Sequence, residues 1–533
     1  MEFQSILTSL DFQLKKWPAI CLGFLCCFLT IISWYFIKQK NQQVLVHWPI
    51  VDVLPSLLQN VHRVHEWTVE LSNAVGGTIV GRGPIFGRSE VMFTCDPRIV
   101  EYMVKTNFPN YPKGSDFLDT FDLIGNGIFN VDFDTWQTQR RMAHTTFTSK
   151  EFRSFISNVN RNVVQEALLP LLSHVAKQSS IVDLEDVFLR FAFDSTFTVI
   201  FGRNCNYLSI EFPDDEFAKA IDDGTEAMFY RHVTPSPWWK LLRWLKLGKE
   251  KKLAEAGKTI DRHLAQYISS KREELLGGVE ANDLLAVYMT SQKASNNSNL
   301  LSSSSKGDQK FLRDTALSFL FAGRDSTGTS LTWFFWLISK NPSVEAKILE
   351  ELRVVALKYK NGDMGIEEKK KSLMVFDSED LKGLVYLHAA LSEALRLYPP
   401  LPMNRKLALN GDVLPNGTIL KPGTKILISM YAMARMEWVW GKDCFEFKPE
   451  RWIDEDGKLS HEPMTKFFVF NAGPRTCVGK EMAFTQMKSV AAAIIFNFRV
   501  EVVEGQVVQP KPSLVLHTKN GLRVRIKERV NIA

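Results

Sequence analysis

The stretch FLRDTALSFLFAGRDSTGTSLTWFFWLISKNP, Phe311 to Pro342, is apolar around most of a helical circumference. Such a helix is buried through the centre of a domain, and Asn341-Pro342 is its stop signal. Its middle, Ala322-Gly323-Arg324-Asp325-Ser326-Thr327, interrupts the apolar run. A mid-helix glycine costs roughly 1 kcal/mol relative to alanine, so its presence suggests that something packs close. The adjacent acid and hydroxyls have two readings. They could open the helix locally and hold a chain of waters, or the acid forms a buried pair in a kinked core helix.

The chain has 533 residues, 45% hydrophobic and 23% charged, enough to build a substantial core. Length alone allows about three domains, but no internal repeat is present and one long helical domain is the simplest reading. Strand-like pieces are few: Thr78 to Phe86, Val91 to Thr94, Thr424 to Tyr431 and Leu522 to Ile526. Helical patterns dominate from Thr146 to Leu276 and from Phe311 to Leu397. Between them Lys293 to Lys310 is rich in Ser and Asn and reads as a mobile loop within the domain. Net charge is only +6, and no zinc-finger spacing or RNA-binding signature appears, so nucleic acid is not an expected partner. The cysteines are Cys21, Cys26, Cys27, Cys95, Cys205, Cys444 and Cys477, without a C-x-x-C pair. That indicates neither a disulfide framework nor a zinc site, and suits a reducing compartment.

FNAGPRTCVGK, Phe470 to Lys480, reads as a socket for one metal-bound thiolate. Cys477 precedes MAFTQMKSVAAAIIF, a helical run, so the helix N-terminus stabilises negative charge on its sulfur. Gly473 and Gly479 allow a tight turn and a close approach to a flat ring. Arg475 offers a fork of donors for a carboxylate, and Phe470 can keep water off the sulfur.

The segment resembles the haem-binding loop of the cytochrome P450 monooxygenases, and the resemblance runs from the N-terminal apolar run to the C-terminus. It implies a mainly α fold with small β-sheets (α+β), preceded by one transmembrane helix. It also implies haem b with an axial thiolate from Cys477, the Arg475 fork being aimed at a propionate. Oxygen activation needs protons, and the resemblance assigns their delivery to Asp325, Ser326 and Thr327. Relatives generally have Thr directly after the acid. Ser326 keeps the hydroxyl but loses the β-branch that fixes its rotamer, so more uncoupling to peroxide is expected. Trp136 and Arg140, four apart on one helical face, resemble the propionate clamp. Glu393 and Arg396, three apart, with Arg451 of PERW, resemble the triad that locks the proximal side. Glu350 and Arg353 repeat the same spacing and read as a surface pair. Arg141, Lys480 and Lys488 are candidates for a basic face that docks an acidic reductase, or else are solvated charges. Electrons come from NADPH through that separate reductase. His62 and His65 have no carboxylate or cysteine cluster to make a metal site.

Ala19 to Ile37 is long enough to span a bilayer. Flanking lysines are balanced, so charge specifies orientation weakly. A cleaved signal peptide is the alternative, but the run starts late, is too long and has no small-x-small site before Ser33. The expected organisation is a luminal segment 1–18, an anchor 19–37, a linker 38–60 containing the Pro-rich His47 to Pro55, and a catalytic domain 61–533. This places the catalytic domain on the cytosolic side of the endoplasmic reticulum membrane. Ser236 to Leu253 interleaves three Trp with six basic residues and one acid. It is either a lipid-interface helix, with Trp238 and Trp239 in contact, or a surface helix with a buried Trp face.

Within the family, AGRDST, TWFFWL, PERW and FNAGPRTC look like the plant clan of fatty-acid ω-hydroxylases, with its mid-chain alkane hydroxylase branch nearest. Candidate pocket residues are Phe117, Leu118, Phe121, Ile124, Ile128, Phe319, Ala322, Leu401, Met403 and Leu514. A greasy pocket suits a long aliphatic chain. It equally suits an aromatic one, so oxidative phenol coupling, as in alkaloid biosynthesis, is the alternative. No basic residue stands out in these segments to pair with a carboxylate, which points to an alkane or alcohol before a free fatty acid.

Overall fold

The structure is a computed structural model and describes residues 53–82, 90–291, 305–360 and 373–529, with Gly23, Cys26, Cys27, Phe28 and Thr30. The described residues divide into two units. The smaller, drawn from Met1–Gln59 and Arg82–Arg88, contributes the helix Leu54–Asn60. Everything below concerns the larger, Asn60–Gly81 with Ser89–Ala533. Among the described residues no helix is long and apolar enough to cross a membrane. The expected Ala19 to Ile37 span lies almost wholly outside those residues, as does most of the His47 to Pro55 linker.

The helices that frame the site are α1 (Val64–Val75), α2 (Phe133–Thr148), α3 (Leu184–Phe201), α4 (Glu216–Val233), α5 (Ser236–Leu245), α6 (Gly248–Leu276), α7 (Lys306–Lys340), α8 (Val385–Leu397) and α9 (Lys480–Asn497). Helix α7 is the buried apolar stretch. It spans 35 residues, about 52 Å of rise. It starts five residues earlier than the sequence pattern suggests, because Ser305 caps it: its Oγ accepts from Asp308 N at 3.2 Å. The tail of the expected loop, Lys306 to Lys310, is therefore helical, and residues 292–304 lie outside the described set.

What packs against the α7 glycines is α3. A Cβ at Gly323 would sit 2.5 Å from Thr196 Oγ1, and one at Gly328 would sit 3.2 Å from the Leu189 backbone. Small residues let the two helices approach until backbone meets backbone, and this is the most extensive helix pairing in the fold. Phe188 stacks on Phe335 at 5.3 Å across the same seam. The helix is not opened at its polar centre. Ser326 Oγ donates to Ala322 O at 2.5 Å, Thr329 Oγ1 to Asp325 O at 2.8 Å and Ser330 Oγ to Ser326 O at 2.6 Å. The hydroxyls are satisfied one turn back, so nothing forces the ladder apart.

The strands are β1 (Thr78–Arg82), β2 (Glu90–Thr94), β3 (Ile181–Asp183), β4 (Met403–Leu407), β5 (Asp412–Val413), β6 (Ile419–Leu420), β7 (Lys425–Ser429), β8 (Phe498–Val502) and β9 (Arg523–Glu528). They form a sheet of order β1-β2-β7-β4, a second of order β3-β9-β8 and a β5-β6 hairpin. The first strand stops at Arg82, short of the expected Phe86, with residues 83–89 outside the described set. The expected strand to Tyr431 stops at Ser429, whose Oγ accepts from Ala432 N and caps a helical turn. The fold is thus mainly helical with small sheets, as the sequence indicates.

Candidate functional site

The Phe470 to Lys480 loop is pinned by its own backbone: Cys477 N donates to Phe470 O at 2.8 Å. Gly473 has φ +67°, a value side chains rarely adopt, and a Cβ there would sit 2.0 Å from Val104 O. Its close approach is therefore to the Tyr102–Thr106 backbone rather than to a flat ring. Gly479 is the N-cap residue of α9, with ordinary φ. The Cys477 side chain is accessible, yet protein surrounds it on nearly all sides, so it faces an interior recess. Burial pushes its pKa up, while the Gly479 N–H, Arg140 and Lys480 pull it down. Phe470 is buried against Phe484, with centroids 5.4 Å apart.

Next to this loop lies a group of cations with too few anions. Arg475 Nη2 donates to Asp132 Oδ1 at 2.6 Å and Val131 O at 2.8 Å, its guanidinium lies over Trp136 at 4.6 Å, and its Nε has no partner. Lys406 is 1% exposed, with Nζ unpartnered, and burial, with Arg475 beside it, lowers its pKa to about 7. Lys113 donates to Asn404 Oδ1 at 3.0 Å and is held well below its usual pKa by burial and by Lys406. Arg140 forms no hydrogen bond or ion pair among the described residues, and burial lowers its pKa. Asp132 alone partly offsets these charges, and it already accepts from the backbone N–H groups of Lys113 and Gly114. Buried charge left this far uncompensated calls for an anion between the side chains. Lys113 and Lys406 escaped the sequence reading. Nothing local marks them: they become a group only once the fold brings β4, which carries Lys406, and the loop holding Lys113 together beside Arg475.

On α7, Asp325 and Arg324 are buried together, with Nη1 to Oδ1 at 2.9 Å. Arg324 also reaches the half-exposed Asp222 on α4 at 2.5 Å. Burial raises Asp325, opposed by Arg324 and by His517. His517 lies in the C-terminal loop, its Nδ1 3.1 Å from Glu185 Oε1. Ser326 is partly accessible and Thr327 is buried. The structure thus shows the buried pair, in a helix that stays closed, beside a partly accessible hydroxyl. Below it, Glu393 collects the proximal elements. It accepts from Arg396 Nε at 2.8 Å, Arg451 Nε at 3.3 Å, Trp452 Nε1 at 2.9 Å and Lys448 N at 3.2 Å. Glu350 and Arg353 form an exposed pair at 3.7 Å, as their spacing indicates.

The Cytochrome P450 family profile matches residues 47–524. The chain belongs to that family. It is similar to the alkane hydroxylase MAH1 of Arabidopsis thaliana, 40% identical over 523 residues, which covers 96% of this chain and 99% of the relative. It is similar to cytochrome P450 86B1 of the same plant, 42% identical over 513 residues, 95% and 90% of the two chains. It is also similar to noroxomaritidine synthase of Narcissus aff. pseudonarcissus MK-2014, 40% identical over 517 residues, 96% and 97%. The protein is an oxidoreductase of the monooxygenase kind, and its family carries haem on a cysteine thiolate.

The residues present fit that cofactor. An accessible thiol faces the recess, and the unpartnered Arg475 Nε and Lys406 Nζ, with Arg140 and Lys113, form a cationic rim suited to propionates. Of the expected P450 pocket residues, Phe117, Ile124, Ile128 and Phe319 are buried, while Leu118, Phe121, Ala322, Met403 and Leu514 stay partly accessible. Leu401 is about half accessible. Phe117 stacks on Phe121 at 4.4 Å, and Phe319 on Phe147 at 5.3 Å.

Three expectations need correction. Lys488 is buried and donates to Leu381 O and Leu384 O at 2.9 and 3.0 Å, so it cannot belong to a docking face; Lys480 is partly accessible and Arg141 exposed. Trp239 is 4% exposed beneath Arg231, 4.5 Å from its ring, whereas Trp238 and Trp244 are 57% and 77% exposed. Finally, a basic residue does stand among the pocket segments: Arg405, two residues after Met403 on β4.

Proposed function

We propose that this P450 hydroxylates an unactivated C–H bond of a long aliphatic substrate, held at the membrane surface and fed electrons from NADPH by a separate reductase. The observation that carries the reading is the accessible, enclosed Cys477 thiol beside the under-compensated cations. Haem b, bound through Cys477, supplies oxygen activation and C–H oxidation. Trp136, Arg140, Arg475, Lys406 and Lys113 would hold its acidic side. Phe470 pins the cysteine loop through its carbonyl and would shield the sulfur, and the Glu393, Arg396 and Arg451 cluster ties together the elements behind that loop. Asp325, kept in place by Arg324, holds a proton within the helix, and Ser326 passes it on when its hydroxyl turns from Ala322 O toward the recess.

The Phe117–Phe121 and Phe147–Phe319 stacks, among segments expected to line the pocket, support an extended apolar substrate. The N-terminal apolar run supports retention at the endoplasmic reticulum, with the catalytic domain in the cytosol. NADPH consumption with reductase, followed by product mass spectrometry over alkane, fatty-acid and phenolic panels, tests the reading. Hydroxylated aliphatic products are expected. Coupled phenols alone would replace it with oxidative phenol coupling.

A further inference from the structure

Side chains alternate across a strand, and β4 uses its two faces differently. Asn404 and Lys406 point toward Lys113, Arg475 and the cofactor rim. Met403, Arg405 and Leu407 lie on the other face, where Leu407 meets Gly114 and Arg405 meets Thr120. Arg405 Nη1 donates to Thr120 Oγ1 at 3.3 Å, and it forms no ion pair among the described residues. Asp116 is ion-paired with Lys425 and acts on Arg405 only through space. The guanidinium is mostly enclosed yet partly accessible, and burial lowers its pKa. His232 of α4 faces the same space. Its Nδ1 bonds Met228 O at 3.0 Å and its ring meets Phe121 edge-on at 5.2 Å. Burial first, then the nearby Arg405, holds His232 neutral, with a pKa of about 4. Arg405 is therefore a charge with spare donors at one end of the stacked Phe117 and Phe121 rings.

We propose that Arg405 is a polar anchor for the carboxylate end of the aliphatic substrate, which extends along Phe117 and Phe121. The inference rests on the aliphatic reading above and narrows it to acid-terminated chains. A carboxylate accepts two parallel bonds from a guanidinium. It would also supply the direct ion pair that Asp116 gives to Lys425. An alkane, an alcohol or an ester offers no such charge. The anchor adjoins the cofactor rim but faces away from it: Arg405 and Lys406 lie on opposite faces of one strand, and Arg405 is not among the charges felt by Cys477, although it acts on Lys113, whose Nζ lies over the Phe117 ring at 4.5 Å.

The test is equilibrium binding to the purified holoenzyme, read from the substrate-induced shift of its absorption spectrum. The probes are hexadecanoic acid, its methyl ester and hexadecane. The wild type should bind the acid at least about tenfold tighter than the ester, the worth of a charge-assisted hydrogen bond. Arg405→Leu should bring that ratio to about one, and Arg405→Lys should restore part of it. Equal binding of acid and ester by the wild type overturns the anchor even if Arg405→Leu fails to fold, and so does a preference that survives Arg405→Leu. If no aliphatic probe binds while a phenolic compound does, the aliphatic reading itself falls.

Discussion

Arg324 and Asp325 are neighbours in sequence and also ion-paired at 2.9 Å, with side chains only 3% and 1% exposed. Adjacent residues on a helix normally point about 100° apart. Here the long guanidinium folds back over the carboxylate while it reaches across to Asp222 on α4. The pair therefore joins the polar centre of α7 to a helix on the pocket side.

Removing Arg324 leaves a buried carboxylate uncompensated, whereas removing Asp222 relieves a half-exposed contact. Arg324→Met should destabilise the protein by about 3–5 kcal/mol and Asp222→Asn by about 1 kcal/mol or less. Denaturant midpoints check this, and equal losses would show that Asp222 is the essential partner.

Gly328→Ala sets helix propensity against packing. Alanine gains about 1 kcal/mol in a free helix, but its Cβ would meet Leu189 Cδ2 at 2.8 Å and the Leu189 backbone at 3.2 Å. Overpacking of this kind costs about 1–3 kcal/mol, so the variant is expected to lower the melting temperature. A rise would mean that α3 and α7 separate easily.

His65 is 2% exposed with both ring nitrogens unpartnered among the described residues, and burial holds its pKa at about 4. The folded ring stays neutral where the unfolded one takes a proton. Its contribution to stability is therefore present above pH 6.5 and is lost as pH falls toward about 4. His65→Leu should match or exceed the wild type at neutral pH, and its advantage should grow by about 3 kcal/mol as pH falls to about 4. Urea unfolding at three pH values measures it. A constant difference would mean that the ring gains a partner.

On the lipid-interface reading of α5, the contact would be made by Trp238 and Trp244, with Leu241, Leu245 and the following Leu247 also exposed. Replacing both tryptophans by Ser should weaken vesicle binding of a protein lacking the N-terminal run. Trp239→Phe should leave vesicle binding unchanged. Vesicle co-sedimentation reads the outcome, and unaltered partitioning of the double variant would remove α5 from the interface.

Much of this was legible in the sequence because it depends on neighbours along the chain. The α7 stretch, the Cys477 loop and the Glu393 and Arg396 spacing are local patterns, and the structure builds each of them where the pattern falls. What escaped depends on residues far apart in sequence. Trp239 is covered by Arg231, which Glu250 and Asp122 hold in place. Lys488 looked like surface charge until two carbonyls of the 381–384 segment closed over it. Arg405 and Lys406 acquire meaning only when β4 pairs with β7 and sets them beside Thr120 and Arg475, and Lys113 when its loop meets Asn404 of that strand. Gly473 was read correctly as a turn, but its neighbour is Val104, a contact that no local pattern announces.

The central claim is that Cys477 carries the cofactor. The reduced, carbon monoxide-treated protein is expected to give a Soret band near about 450 nm, and Cys477→Ala should abolish it. A band at that position in Cys477→Ala would contradict the assignment and require another thiolate.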